Sequence, residues 1–194
     1  ENFDKTDEKI KVFSHHVDTP KGQFNYLYDH AVEFLGEPDM VVFMEPDMVW
    51  APGVFKSFIE EAQRRASEYL FAPQIELWKT YEYRITRTDG NRLGPAAYKE
   101  VWGIPEFKFG AYNSGITQII SAYGCYNFGY CLNEKTMLYK HKAAIDFSSK
   151  IKDSIPDPTW YEEKWLNWTP ETTNLEPGKK HKDKIPKAEP YDMP

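Results

Sequence analysis

The chain has 194 residues, of which 41% are hydrophobic and 16% aromatic. That supports one domain with a real core, but not two independent cores once an extended tail has taken its share. A formal net charge of −6 and a pI near 5.4 argue against a nucleic-acid partner, which calls for a basic face. An acidic protein that accepts an anionic substrate needs local cations, and a bound divalent metal is one way to supply them. No run approaches the roughly 18 apolar residues of a membrane span, so none is expected. The polar start, Glu1-Asn2-Phe3-Asp4-Lys5, has no signal-peptide pattern, and a cytoplasmic location is expected. Cys125 and Cys131 lack the spacing of a metal knuckle and read as reduced, partly buried thiols.

In chain order, Ile10–Ser14 reads as a short strand and His15–Gly22 as a polar loop with turn residues. From Gln23 to Leu35 the apolar residues Phe24, Leu27, Tyr28, Ala31, Val32 and Leu35 recur at three and four, predicting an amphipathic helix that Gly36-Glu37-Pro38-Asp39 stops. Met40–Met44 is a continuous apolar run of strand length, suited to burial on both faces. Strand, helix and strand in this order predict a right-handed βαβ unit. Pro52-Gly53 opens a second helix, with Val54, Phe55, Phe58, Ile59 and Ala62 on one face. Tyr69–Leu77 reads as a strand interrupted by Pro73, Trp78–Phe109 as loops and short elements lining a site. Asn113–Tyr123 reads as a helix, and Cys125–Tyr139 as one or two strands.

From Ser154 the composition changes. Seven of the 14 prolines fall there, with Trp160, Tyr161, Trp165 and Trp168 on a short helix. Beyond Thr169 the chain is rich in Lys, Pro and Glu without periodicity. It is expected to wrap the domain as an extended arm or to be disordered. The fold expected is α/β: a mixed, mostly parallel, Rossmann-like sheet flanked by helices, over residues 1–153. A Pro-, Trp- and Lys-rich C-terminal extension follows over 154–194.

In open α/β sheets, ligands collect beyond the carboxyl ends of the strands. The Met40–Met44 strand delivers Glu45-Pro46-Asp47 to that edge. Hard cations such as Mg²⁺ or Mn²⁺ take oxygen ligands, often one or two carboxylates with water and substrate phosphates. Such an ion neutralises a departing diphosphate. The competing reading is that both acids cap the following helix or face solvent.

The stretch Gly22-Gln23-Phe24-Asn25-Tyr26-Leu27-Tyr28-Asp29-His30-Ala31, through Met40-Val41-Val42-Phe43-Met44-Glu45-Pro46-Asp47, resembles the core of GT-A-fold glycosyltransferases over residues 10–65. In that family a helix leads to an apolar strand ending in an Asp-x-Asp metal motif, and a Pro-Gly helix follows. Here Glu45 replaces the first Asp. The resemblance implies Mn²⁺ or Mg²⁺ at Asp47, with Glu45 on the ribose or a metal-bound water. It also implies a nucleotide-sugar donor and a glycan or other hydroxyl acceptor. Such folds begin with a strand and helix for the nucleobase, and the segment before Ile10 is too short for both. A partial or N-terminally truncated domain is therefore expected.

The resemblance also implies that His141 is a late second ligand to the ion. The alternative is a surface histidine in a basic patch with Lys140 and Lys142. His15 and His16 are adjacent and would point to opposite faces of a strand, so they read as a loop touching the donor, with Asp18 a nucleobase or ribose contact. Arg87 and Arg92, in a cationic loop with Arg84, offer bidentate phosphate recognition. The plain reading is a solvated turn. Trp102 with Glu106 pairs an aromatic platform for a sugar with a carboxylate, though core packing explains Trp102 equally well. Glu100, Glu106 and Asp146 are the candidate bases for deprotonating the acceptor. The function expected is metal-dependent glycosyl transfer. The alternative is a non-catalytic glycan- or partner-binding module derived from such a fold. A third reading, a metal hydrolase on His15, His16 and Asp47, needs those residues to converge.

Overall fold

The computed structural model describes residues 20–36, 40–64, 69–86, 92–99, 118–151, 156–177 and 186–193. The first helix, α1 (Pro20–Leu35), starts earlier than its apolar periodicity, at a proline whose missing N–H costs nothing in a first turn. It ends at Gly36, which takes a φ of 77° while its N–H donates to Val32 O at 2.8 Å, a left-handed helix stop. The apolar run after it forms β1 (Met40–Phe43). The chain then turns through Glu45–Met48 into the two-residue β2 (Met48–Val49).

Pro52 and Gly53 form the turn before the second helix rather than its first residues. Val54 N–H donates to Ala51 O at 3.0 Å and Gly53 has a φ of 79°, which together match a type II turn. The helix that follows, α2 (Val54–Arg64), buries Phe58 and Ala62 against Leu70 and Ala72, with Phe55, Ile59, Met40, Val42 and Trp50 around them. This is the first core cluster.

The central strand is β3 (Tyr69–Trp78). Along one edge run β5 (Arg92–Lys99), antiparallel to Tyr69–Gln74, and then β4 (Thr80–Thr86), antiparallel at Leu77 and Trp78. Along the other run β6 (Gln118–Ile120) and β7 (Cys125–Tyr130), both parallel. The register with β5 shifts between Phe71 and Pro73, where the proline has no N–H to give. β1 lies on the outer edge of β5, β2 on the outer edge of β7, and β8 (Lys187–Pro190) on β4. Five residues from Phe43 to Met48 reach at most ~18 Å, whereas four flat strand spacings take ~19 Å. The sheet must therefore curl, bringing β1 and β2 toward each other across the turn that carries Asp47.

The fold is thus α/β with one mixed sheet, but the expectation of a mostly parallel sheet is corrected: among the described pairings only those of β3 with β6 and β7 are parallel. The middle of the chain is more regular than expected, because Thr80–Thr86 and Arg92–Lys99 are strands. The helix expected over 113–123 is absent from its described part, where Gln118–Ile120 is β6. Short β-branched runs such as Ile119-Ile120 fit either structure by spacing alone. Residues 131–139 are not strand either. After β7, Asn133 caps α3 (Glu134–Ile151), its Oδ1 accepting from Thr136 N–H at 2.9 Å.

The second core cluster joins α3 to the C-terminal segment. Trp78, Ile85, Met137, Trp160, Tyr161, Trp165, Leu175 and Ala188 pack together there. Trp160 and Trp165 sit at the start of and within a π-helical turn, Tyr161–Leu166. Trp160 Nε1 donates to Leu175 O at 2.7 Å and Trp165 Nε1 to Tyr130 O at 3.0 Å. The described residues after 154 thus complete a core, and the extended part among them is β8.

Candidate functional site

The site grows from the Glu45–Met48 turn. Met48 N–H donates to Glu45 O at 3.0 Å, with Pro46 presetting the second turn position and Asp47 taking the third. Phe128 N–H, on β7, donates to Asp47 O at 2.8 Å and fixes the backbone against the sheet. The Asp47 carboxylate then lies over Gly129. A Cβ at Gly129 would stand 2.8 Å from Asp47 Oδ2, 2.8 Å from Asn127 Oδ1 and 3.1 Å from Lys140 Nζ. Only a residue without a side chain leaves these three groups in place.

Lys140 comes from α3. Its Nζ donates to Asp47 Oδ2 at 3.3 Å and to Gly129 O at 3.1 Å. The other carboxylate oxygen, Asp47 Oδ1, is buried and has no hydrogen-bond partner among the described residues. A buried acceptor in that state calls for an ion or water to satisfy it.

Beneath the turn lies a polar strip on the face of the sheet that carries Leu70 and Ala72 further along. Gln74 and Glu76 of β3 are buried, and so is Asn127 of β7, which sits opposite Glu76 in register. Asn127 Oδ1 accepts from Gly129 N–H at 2.7 Å, and its Nδ2 donates to Gln74 Oε1 at 3.4 Å. Gln74 Nε2 in turn reaches Met48 Sδ at 3.7 Å. Buried amides hold their shape when they are mutually satisfied, and here they fix the floor on which the Asp47–Lys140 pair rests.

Each residue singled out from sequence has a definite place or falls outside the described residues. Glu45 is half-buried in the same turn as Asp47, its N–H directed at Met48 Sδ at 3.5 Å. His141 is not a surface residue. It is 5% exposed, its ring 5.3 Å from Trp160 and stacked 6.5 Å from Tyr161, with Nε2 unpartnered among the described residues. Asp47 meets the residue before it, Lys140; neighbours on a helix point about 100° apart, and His141 turns toward the aromatic cluster. Asp146 is exposed on α3. Arg84 lies over the Tyr191 ring at 5.2 Å, on the strand paired with β8. Arg92 is in β5, and its side chain is outside the described set. Asp18, Arg87, Glu100, Trp102 and Glu106 lie outside the described residues, as do His15 and His16, on which the hydrolase reading depends.

Among the described residues no three His, Cys, Asp or Glu side chains gather as a ready-made metal cluster. Both cysteines are free, and burial pushes Cys125 up to about 12 and Cys131 up to about 11, so both thiols stay protonated near neutral pH. Also among the described residues, no helix is long and apolar enough to cross a membrane. Gln74, Glu76, Asn127 and Gly129 were not anticipated from sequence. Their signal was polar residues at alternate positions of strands that otherwise bury that face.

Comparison with protein-family models, with curated proteins and with solved structures gave no match.

Proposed function

We propose that the chain is the catalytic part of a metal-dependent glycosyltransferase, moving a sugar from a nucleotide-diphosphate donor to an acceptor hydroxyl. The observation that carries the proposal is Asp47. It stands on a Pro-containing turn at the rim of the sheet, with one carboxylate oxygen lacking a partner among the described residues and the other beside an ammonium group. The order of strand, acidic turn, Pro-Gly turn and helix supports a GT-A-like, Rossmann-like arrangement as the finer description of the α/β fold.

The donor set suits a hard cation, because Asp47 Oδ1 is a carboxylate oxygen unsatisfied among the described residues and such ions accept as few as one or two carboxylates beside phosphate and water. Asp47 would hold Mn²⁺ or Mg²⁺, which when bound stabilises negative charge on a departing diphosphate. Lys140 supplies a half-exposed point charge for phosphate oxygens beside the same carboxylate. The buried amides of Gln74 and Asn127 keep β2 and β7 aligned, so that the turn holds Asp47 at the rim. In this reading Glu45, Arg87, Arg92, Trp102 and Asp18 contact donor or acceptor, and the base comes from Glu100, Glu106 or Asp146. His141 serves the ion only if its ring leaves the aromatic cluster, so the assignment rests on Asp47.

The test is calorimetric titration of UDP and GDP, with and without Mn²⁺, into the protein and into Asp47→Ala. Metal-dependent binding that weakens at least tenfold in the variant is the expected result. Equal binding by both proteins sinks the metal assignment.

One observation favours the second reading, a non-catalytic glycan- or partner-binding module: Lys140 already neutralises Asp47 within the protein. Glycan binding indifferent to EDTA, with no affinity for either nucleotide, selects that reading.

A further inference from the structure

Lys140 sits where a cation would bind. Two acceptors hold its Nζ, Asp47 Oδ2 at 3.3 Å and Gly129 O at 3.1 Å. The pair is nevertheless open to competition, because the Lys140 side chain is 49% exposed and that of Asp47 26%. Partly exposed ion pairs are weak and yield to dissolved ions. The two partners also differ in how firmly they are held. The Asp47 backbone is pinned by Phe128 N–H and by its own turn, so the point from which the carboxylate extends stays in place when the lysine leaves. Lys140 reaches the site on a flexible four-carbon stem from an exposed position of α3, and can swing away without moving the helix.

From this asymmetry we infer that Lys140 is a charge latch on Asp47: it occupies the carboxylate in competition with a divalent cation, and leaves it for the phosphates of an incoming nucleotide diphosphate. The inference rests on the proposed metal role of Asp47. It adds that metal and nucleotide enter as a coupled pair, since the nucleotide removes the competitor of the metal. Such coupling is reciprocal, so each ligand raises the affinity of the other by the same factor.

Removing the latch has opposite effects on the two ligands. Lys140→Gln should bind Mn²⁺ alone about fivefold more tightly, which is what losing one partly exposed ion pair is worth. At saturating Mn²⁺ the same variant should bind UDP or GDP about tenfold more weakly, for want of the ammonium on the phosphates. A merely structural loss would weaken both. Lys142→Gln is the control, because it removes the same charge two residues away at an exposed position.

The experiment titrates Mn²⁺ alone, then UDP and GDP at saturating Mn²⁺, into the 194-residue protein and the variants Lys140→Gln, Lys142→Gln and Asp47→Ala. A rise in Mn²⁺ affinity confined to Lys140→Gln, with a fall in nucleotide affinity, supports the latch. If Lys140→Gln binds Mn²⁺ no tighter than wild type, or Lys142→Gln gains as much, the latch is overturned. The metal role of Asp47 then still stands, provided Asp47→Ala loses Mn²⁺. If Asp47→Ala binds Mn²⁺ and nucleotide as wild type does, the metal role falls and the latch with it.

Discussion

Asp47 Oδ2 and Lys140 Nζ meet at 3.3 Å across 93 positions of sequence, over a residue that has no side chain. The turn after β1, the end of β7 and the middle of α3 converge there. Each of the three contributes something that the others cannot: a carboxylate, a bare backbone whose carbonyl accepts from Lys140, and an ammonium group.

The convergence makes Gly129→Ala informative. The new methyl would crowd Asp47 Oδ2, Asn127 Oδ1 and Lys140 Nζ, all ends of side chains that can shift. The fold should therefore survive at a cost of about 1–2 kcal/mol, while the ion pair opens. A double-mutant cycle in urea checks it: Lys140→Gln should cost less stability in the Gly129→Ala background than in wild type. Identical costs in both would mean the methyl does not disturb the pair.

How much of this was readable in advance depended on how locally each feature is specified. The helices α1 and α2 and the strands β1 and β3 announce themselves by periodicity or by long apolar runs. β4 does not, because most of its side chains face solvent, Tyr81 among them at 58% exposure, and alternation is faint where only Ile85 is buried. The start of α3 follows an aromatic strand closely enough to read as its continuation, and the deciding signal is a single capping residue, Asn133. Asp47 was visible as a strand-terminal acid. Its partner was not, since no pattern around Lys140 says which distant carboxylate it meets. The buried strip of Gln74, Glu76 and Asn127 was legible in principle: the face that carries Leu70 and Ala72 continues into polar residues, a departure from the apolar run that core packing alone would favour.

His141 is a buried histidine among aromatic rings, with Nε2 unpartnered among the described residues. An unsatisfied buried polar atom costs about 1–3 kcal/mol, and an apolar group of similar shape avoids that cost. His141→Phe is accordingly expected to be neutral or to stabilise the protein by up to about 1 kcal/mol, with Mn²⁺ affinity unchanged. Thermal unfolding and Mn²⁺ titration of the one variant check both statements. A variant that folds normally yet loses the metal would restore His141 as a ligand.

Leu175 lies in the Pro-rich part of the chain and is fully buried, its carbonyl accepting from Trp160 Nε1 at 2.7 Å. Truncating such a side chain costs about 2–5 kcal/mol, so Leu175→Ala should lower the urea midpoint substantially and sharpen proteolysis across the whole chain. Were the C-terminal segment a detachable tail, the same change would trim only the tail and leave the midpoint of the rest untouched. Gel analysis of a limited digest separates the two.

The thiols give the protein an alkaline weakness. Burial raises Cys125 from 9.0 to about 12 and Cys131 from 9.0 to about 11. The folded chain therefore keeps protons that the unfolded chain gives up, and stability falls as pH rises from about 9 through these values. Below 9 this contribution is fully present, so no loss from this source is expected between pH 6 and 8. In reducing buffer, the urea midpoint should fall steadily between pH 9 and 10.5. Cys125→Ala should start lower, having lost a fully buried side chain, but decline less steeply over the same interval. The difference in slope isolates the thiol from the tyrosines and lysines that titrate nearby. Parallel slopes for wild type and variant would assign the alkaline loss to those other groups.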